Sequence, residues 1–301
     1  MRIHTLDLLF QDLERSIASY LVEGSAGYVL VETGPMSTLG TLRMRLDQKG
    51  VSVDDIRHVL VTHIHLDHAG AAGWWAQQGA TVYVHHVGAP HLVDPSRLWH
   101  SAGRIYDDEM ERLWGEILPA PENRVVPVDD GDTIEVAGLT FTAWDTPGHA
   151  WHHHLFQLGD IGFSGDAAGI RLAPDTWISL PSPPPVFDLD AWQITLDKIA
   201  ALNLDALYLT HFGRVDHPGH HLRQLEAVMT AATAFIKEGM QEGLQRVELI
   251  EAYRAWNRER AGEADTLADD FAERYEAANP LFMSVDGIMR YVRKRAEAAE
   301  R

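Results

Sequence analysis

Short apolar runs separated by turn residues fill the first two thirds of the chain. Strand-type runs cover residues 28–31, 59–61, 81–84, 125–128, 133–136, 139–144, 155–158, 161–164 and 206–209. The runs at 155–158 and 161–164 flank Gly159-Asp160, which is typical of a hairpin. Helical spacing covers residues 39–49, 71–78 and 189–201. This alternation of strands and helices predicts an α/β domain.

The pattern becomes helical throughout after about residue 218. Residues 222–239, 243–260 and 266–277 have amphipathic spacing, and a last helix is expected after Pro280. We therefore expect two parts, a main α/β domain over residues 1–218 and a helical C-terminal extension over residues 219–301.

Composition narrows the range of functions. The chain has 301 residues, 17 histidines, no cysteine and a formal net charge of −19. Residues 1–218 carry 13 basic and 29 acidic residues, a net charge of −16, which disfavours RNA or DNA as a substrate. Because cysteine is absent, any metal must be held by nitrogen and oxygen ligands. No apolar run is long enough to span a membrane and no signal peptide is evident, so we expect a cytoplasmic protein.

A dense group of metal-binding side chains follows the strand expected at residues 59–61. His63 and His65 are two residues apart and can converge on one metal, whereas Asp67 and His68 can point to a second. Imidazole and carboxylate ligands suit zinc, manganese or iron. This segment therefore predicts a metal site directly after a buried strand.

The motif His63-x-His65-x-Asp67-His68 resembles the signature of the metallo-β-lactamase superfamily, and the resemblance covers roughly residues 10–215. That family places a His, an Asp and a His at the ends of later strands. The matching residues here are His149 in Pro-Gly-His, Asp166 in Ser-Gly-Asp and His211 in Thr-His-Phe-Gly. The resemblance implies a four-layer αββα metallo-β-lactamase sandwich, here with a C-terminal helical extension, and makes residues 1–218 the catalytic domain.

The resemblance also implies two divalent metal ions, zinc first, with manganese or iron as alternatives. It assigns seven ligands, with the first metal held by His63, His65 and His149, the second by Asp67, His68 and His211, and Asp166 bridging the two. A hydroxide shared by the metals would be the nucleophile, since bound cations lower the pKa of water. Asp67 would be the catalytic residue that accepts and relays the proton.

Other residues near these ligands leave alternatives open. Many family members have an Asp where this chain has Glu32, which is either an orienting partner of a ligand or a turn residue. His152, His153 and His154 compete with His149, but the Pro-Gly-His context favours His149. Of the three, we expect one to orient a ligand by hydrogen bonding and the others to lie at the surface.

The ligand types favour hydrolysis. Flavodiiron-type members carry a carboxylate at the position of His65, and members that hydrolyse β-lactams usually lack the acid matched by Asp166. The chain is thus similar to glyoxalase II-like, lactonase-like and phosphodiesterase-like members, and we predict hydrolysis of a small ester, thioester, lactone or phosphodiester. The alternatives are a mononuclear iron oxidoreductase similar to persulfide dioxygenases, and a non-catalytic binding protein.

The loops around the predicted site are the parts of the sequence that bear on substrate specificity. Residues 87–120 form a long segment between core strands, which is typical of a lid. Trp151 and Trp177 line the pocket, pack in the core or form a dimer contact. Lactonases that act on acyl-homoserine lactones typically have a Tyr soon after the bridging Asp, and residues 167–178 contain none. We expect a small-molecule substrate, and a homodimer remains open.

Overall fold

Two six-stranded sheets face each other in the computed structural model, which describes residues 1–172, 177–262 and 271–299. The first sheet contains, in spatial order, β1 Arg2–Asp7, β2 Ala18–Gly24, β3 Gly27–Val31, β4 Ile56–Leu60, β5 Thr81–His85 and β6 Val125–Val128. The second sheet contains β7 Thr133–Val136, β8 Leu139–Asp145, β9 His154–Leu158, β10 Ile161–Gly165, β11 Ala206–Leu209 and β12 Gly213–Asp216, in the spatial order β12-β11-β10-β9-β8-β7. Both sheets are mixed, with β3 to β6 parallel in the first and β10 parallel to β11 in the second.

Helices cover the outer face of each sheet. The helices before β6 are α1 Leu39–Asp47, α2 Leu66–Ala69, α3 Ala72–Gln77, α4 Ala89–Val93, α5 Ser96–Tyr106 and α6 Met110–Trp114. Those after β10 are α7 Leu189–Ala201, α8 Pro218–Gln241, α9 Arg246–Gly262, α10 Phe271–Ala278 and α11 Leu281–Ala299.

The alternation of side chains along each strand sorts them into layers. In β3, Val29 and Val31 face the second sheet, whereas Leu30 packs with the helices of the first sheet. In β11, Tyr208 faces the first sheet and Leu207 packs with the C-terminal helices. Three separate hydrophobic clusters result, which confirms the expected four-layer αββα sandwich.

The nine expected strands are present, and the described residues contain three further strands that were not predicted. β1 and β12 lie at sheet edges and carry charged residues, so neither contains a long apolar run. β2, also missed, pairs with β1 over six residues and with β3 over five. Whether such a segment forms a strand depends more on pairing with a neighbouring strand than on its own composition.

The C-terminal helices share one hydrophobic cluster with the second sheet. Leu225 of α8, Leu249 of α9 and Ile288 of α11 belong to the same cluster as Trp192 and Leu209. Residues 266–270 of the third expected helix lie outside the described residues, and α10 begins at Phe271. The division at residue 218 stays a prediction. Within the described ranges, no helix has both the length and the apolar character needed to cross a membrane.

Candidate metal centre

The seven predicted ligands lie together at one edge of the two sheets. β4 leads into His63, His65 precedes the first residue of α2, and α2 itself contains Asp67 and His68. The other three ligands follow β8, β10 and β11 of the second sheet. Backbone hydrogen bonds join the sheets here, from the His154 amide to the Thr62 carbonyl at 2.8 Å and from the Ala18 amide to the Thr210 carbonyl at 2.8 Å.

The first cluster contains three imidazoles. The Nδ1 atom of His65 lies 2.9 Å from the Nε2 atom of His63 and 2.9 Å from the Nε2 atom of His149. Two nitrogens that share one tetrahedral zinc, at the usual bond length, are about 3.3 Å apart. The three nitrogens are thus arranged as ligands of one small cation would be.

The second cluster combines a carboxylate with two imidazoles. The Oδ2 atom of Asp67 lies 3.2 Å from the Nε2 atom of His211 and 3.5 Å from the Nε2 atom of His68. His68 and His211 are fully buried, whereas Asp67 is partly exposed. This cluster therefore has one side open to solvent.

Asp166 lies between the two clusters with one oxygen turned to each. Its Oδ2 atom is 3.4 Å from the Nε2 atom of His149, in the first cluster. Its Oδ1 atom is 3.3 Å from the Nε2 atom of His68 and 3.6 Å from that of His211, in the second. The structure thus brings all seven predicted residues together, in the two groups expected from the resemblance.

Buried partners orient the imidazoles from behind. The Nδ1 atom of His149 donates to the Pro181 carbonyl at 2.8 Å, and that of His211 donates to the Ser16 carbonyl at 2.8 Å. Because Nδ1 carries the proton in each ring, Nε2 keeps its lone pair directed at the centre.

Glu32 orients His68 in the same way. Its Oε2 atom lies 3.0 Å from the Nδ1 atom of His68, and its Oε1 atom accepts the Thr62 amide at 2.9 Å. Glu32 is buried and has a φ of 66°, a left-handed conformation that side chains rarely adopt. Of the two interpretations left open, the structure places Glu32 as a partner of a predicted ligand.

The histidines after His149 are not surface residues. His153 accepts the Asp166 amide at 3.1 Å and contacts the Thr146 hydroxyl at 2.7 Å, so it supports the residue between the clusters. His154 is fully buried and contacts Asp145 at 2.7 Å. His152 lines the cavity beside the clusters, and burial lowers its pKa to about 3. The expectation that two of them lie at the surface is wrong, because His153 and His154 are fully buried and His152 is only partly exposed, in the cavity.

Gly148 allows His149 to reach the first cluster. Its φ is +132°, and a Cβ atom there would lie 2.3 Å from the Trp192 side chain. Only glycine fits both the backbone conformation and the close approach of α7.

The clusters differ in their protonation. Burial lowers the pKa of His63, His65 and His149 below the usual value, and neighbouring imidazoles lower that of His63 and His65 further. Burial also lowers the pKa of His68 and His211, but the carboxylates of the second cluster outweigh it and raise both above the usual value. The first cluster is therefore uncharged before any cation binds.

Unsatisfied buried atoms show that the donor set fits metal ions. The Nε2 atom of His68 and the Oδ1 atom of Asp166 are buried and make no hydrogen bond within the described residues. Buried polar atoms are rarely left in this state. A cation between them would bind both, and the His and Asp groups of the site are compatible with binding metal ions.

A cavity of about 240 Å³ opens onto both clusters. His65, Asp67, His149 and Asp166 line it on one side, and α5, residues 183–186 and the C-terminal helices line the rest. Within the segment 87–120, Trp114 lines the cavity and stacks on Phe10, at 5.5 Å between ring centroids.

Trp151 and Trp177 do not line this cavity. Trp151 is 49% exposed, and Trp177 is buried beside the C-terminal helices. Sequence reasoning missed Tyr106 and Met283, which do line it. The helical spacing of Leu98, Ala102 and Ile105 was a usable signal for α5, but Met283 is too distant in the chain for any local pattern to place it.

Comparisons with known proteins identify the family of this chain. The family model of the metallo-β-lactamase superfamily matches residues 13–211. The metallo-β-lactamase fold-containing protein ST1585 of Sulfurisphaera tokodaii is 24% identical over 212 residues, which are 68% of this chain and 77% of that protein. The atrochrysone carboxyl ACP thioesterase of Aspergillus fumigatus is 27% identical over 150 residues, which are 49% of this chain and 28% of that enzyme.

Solved structures share the fold over nearly the whole chain. The metallo-β-lactamase family protein TTHA1429 from Thermus thermophilus superposes with a TM-score of 0.65 at 24% identity, covering 98% of this chain and 94% of that one. The crystal structure of ST1585 gives a TM-score of 0.67 at 18% identity, covering 95% and 98%. With the family model matching well over half of the sequence, the chain belongs to the metallo-β-lactamase superfamily.

Proposed function

We propose that this protein is a hydrolase that uses two divalent metal ions, zinc first, to cleave an ester, thioester or lactone of a small molecule. The observation that supports it most directly is the position of Asp166, which turns one carboxylate oxygen to each cluster at 3.3–3.6 Å from the imidazole nitrogens. Two-metal hydrolases use such a carboxylate to hold their ions close together.

The seven clustered residues would hold the ions. When bound, the ions lower the pKa of a coordinated water and polarise the substrate carbonyl. Asp67 lines the cavity, and although burial opposes ionisation, His68 and His211 lower its pKa to about 2. Asp67 is therefore a carboxylate at neutral pH, and it can hydrogen-bond the attacking water and pass its proton to the leaving group.

The cavity favours a carbonyl substrate over a phosphodiester. Among the described residues that line it there is no lysine or arginine, so the walls offer no permanently charged cation to pair with a phosphate. The fungal relative named as a thioesterase supports a thioester among the carbonyl substrates.

The test is a hydrolysis screen of metal-reconstituted protein against p-nitrophenyl acetate, an acyl thioester, a γ-lactone and bis-p-nitrophenyl phosphate. We expect carbonyl hydrolysis that a chelator abolishes and added zinc, manganese or iron restores, with two ions bound per chain. Asp166→Asn should lower kcat/KM more than about 100-fold, since loss of even an outer partner of a ligand costs about 10–100-fold.

The matched control is Asp130→Asn, because Asp130 is an exposed carboxylate that pairs with Lys198 away from the clusters. Its activity and metal content should equal those of the unmodified chain. One bound iron together with oxygen uptake on a thiol persulfide would select the oxidoreductase instead. Full metal loading without turnover of any substrate would indicate a binding protein.

A further inference from the structure

The cavity beside the clusters has two apolar walls from distant parts of the chain. Leu98, Ala102 and Ile105 of α5 form one wall. Residues 183–186, with Ala278 and Met283 of the C-terminal helices, form the other. The hydroxyl of Tyr106 contacts the sulfur of Met283 at 3.2 Å and joins the two walls.

The cavity has few polar side chains apart from the two clusters. Away from the two clusters, the polar side chains that line it are Ser101, Tyr106, His152 and Asn279, and none of them is a lysine or arginine. Asp67 and Asp166 add negative charge at the floor. An acyl group that carries its own carboxylate would therefore find no cation in these walls, and an apolar group would fit them.

The size of the cavity suits a short acyl chain. An enclosed apolar cavity of about 150 Å³ binds benzene, which has six carbons, so a volume of 240 Å³ has room for a group of roughly that size or somewhat larger. Ile105 lines the cavity and is 38% exposed, so the wall that it forms reaches the surface. The space thus extends from the clusters to solvent between α5 and the C-terminal helices.

We propose that this space binds the acyl part of the substrate, an uncharged apolar chain of about four to eight carbons, with the scissile carbonyl at the metal clusters. The C-terminal helices then help to select the substrate through Ala278 and Met283. This inference rests on the proposed hydrolase function, and it applies equally to an acyl ester and an acyl thioester because the acyl chain is common to both.

The test uses the zinc-loaded full chain and p-nitrophenyl esters from acetate to dodecanoate. Each added methylene that is buried should raise kcat/KM by about fourfold, up to a maximum between butanoate and octanoate. The hemisuccinate ester should react at least about tenfold more slowly than the butanoate ester, because burying an unpaired carboxylate is costly. The same order of kcat/KM across acyl chains is expected for the N-acetylcysteamine thioesters.

Two variants change the cavity in opposite directions. Ala102→Leu should move the maximum to shorter chains, and Met283→Ala should move it to longer chains. Ile194→Ala is the matched control, since Ile194 is a 70% exposed residue of α7 that does not line the cavity, and its profile should equal that of the unmodified chain. Circular dichroism of each variant separates misfolding from a change in selectivity.

The outcomes distinguish this inference from the hydrolase proposal. A flat profile from acetate to dodecanoate in the unmodified chain, or an unshifted maximum in folded Met283→Ala, overturns the acyl site and leaves the hydrolase standing. Failure to hydrolyse any ester, thioester or lactone with full metal loading overturns the proposed function itself.

Discussion

The two clusters of the candidate metal centre differ in charge and in what supports them. The first consists of imidazoles only, and the peptide carbonyl of Pro181 orients His149. The second includes the Asp67 carboxylate, and the Glu32 carboxylate orients His68. Burial lowers the pKa of the imidazoles in the first cluster and carboxylates raise the pKa of those in the second, so protons compete with a cation more strongly at the second cluster.

The largest expected difference between the two clusters is in how their metal affinity depends on pH. Carboxylates raise the pKa of His68 and His211, so protons compete with the second ion for these rings up to a higher pH than they do at the first cluster. As the pH falls below these raised pKa values, its apparent affinity should fall by about tenfold per unit for each displaced proton. Burial lowers the pKa of His63, His65 and His149, so the apparent affinity for the first ion should fall less over the same pH range.

Chelator competition at pH 7.5, 6.5 and 5.5 measures this difference. His65→Ala lacks a ligand of the first cluster, so the metal affinity measured in this variant is that of the second cluster. Asp67→Ala lacks a ligand of the second cluster, so its metal affinity is that of the first. Release of the first ion at a higher pH than the second would contradict the contrast between the clusters.

Glu32→Gln should weaken the second cluster selectively. The glutamine oxygen can still accept the Thr62 amide, but its NH₂ then faces the Nδ1 atom of His68. That nitrogen would have to accept a hydrogen bond, and the proton would move to Nε2, the atom needed for metal binding. We expect a loss of about 10–100-fold in affinity at the second cluster and little change at the first.

Isothermal titration with zinc resolves the two binding steps of Glu32→Gln. Glu23→Gln is the matched control, because Glu23 is an exposed carboxylate on β2 whose nearest partner is His4 at 4.0 Å. Equal weakening of both steps would mean that Glu32 supports the fold rather than one cluster.

Within both clusters, the sequence predicts some members more directly than others. The segment from His63 to His68 supplies four side chains in one turn, so its spacing alone indicated a metal site. His149, Asp166 and His211 came from the family resemblance and their positions after strands. The carbonyls of Ser16 and Pro181 could not be predicted, because backbone atoms carry no residue signature and only the folded chain brings them to the imidazoles.

The loop that carries Pro181, whose carbonyl orients His149 of the first cluster, is held in place by the C-terminal helices. Asn279 donates to the Leu180 carbonyl at 3.1 Å and to the Ser179 hydroxyl at 2.8 Å, and Ser284 donates to the same carbonyl at 2.8 Å. These bonds fix the residues directly before Pro181. A Cβ atom on Gly287 would lie 1.9 Å from the Ser182 carbonyl oxygen, so α11 also packs tightly on the residue that follows.

Of these variants, Ser284→Ala should therefore have the smallest effect on zinc affinity. It should act at the first cluster, whereas Glu32→Gln acts at the second. The hydroxyl acts on His149 only through the loop, so we expect a loss of a few-fold in zinc affinity at the first step, below the range of about 10–100-fold for a direct partner. Arg246→Gln is the control, since it breaks the exposed ion pair with Asp286 of the same helix but touches no residue of the loop. If Ser284→Ala and Arg246→Gln lower thermal stability alike and neither changes the first step, α11 stabilises the fold without positioning His149. A change at the first step in Ser284→Ala alone would place the C-terminal helices in the support of the metal centre.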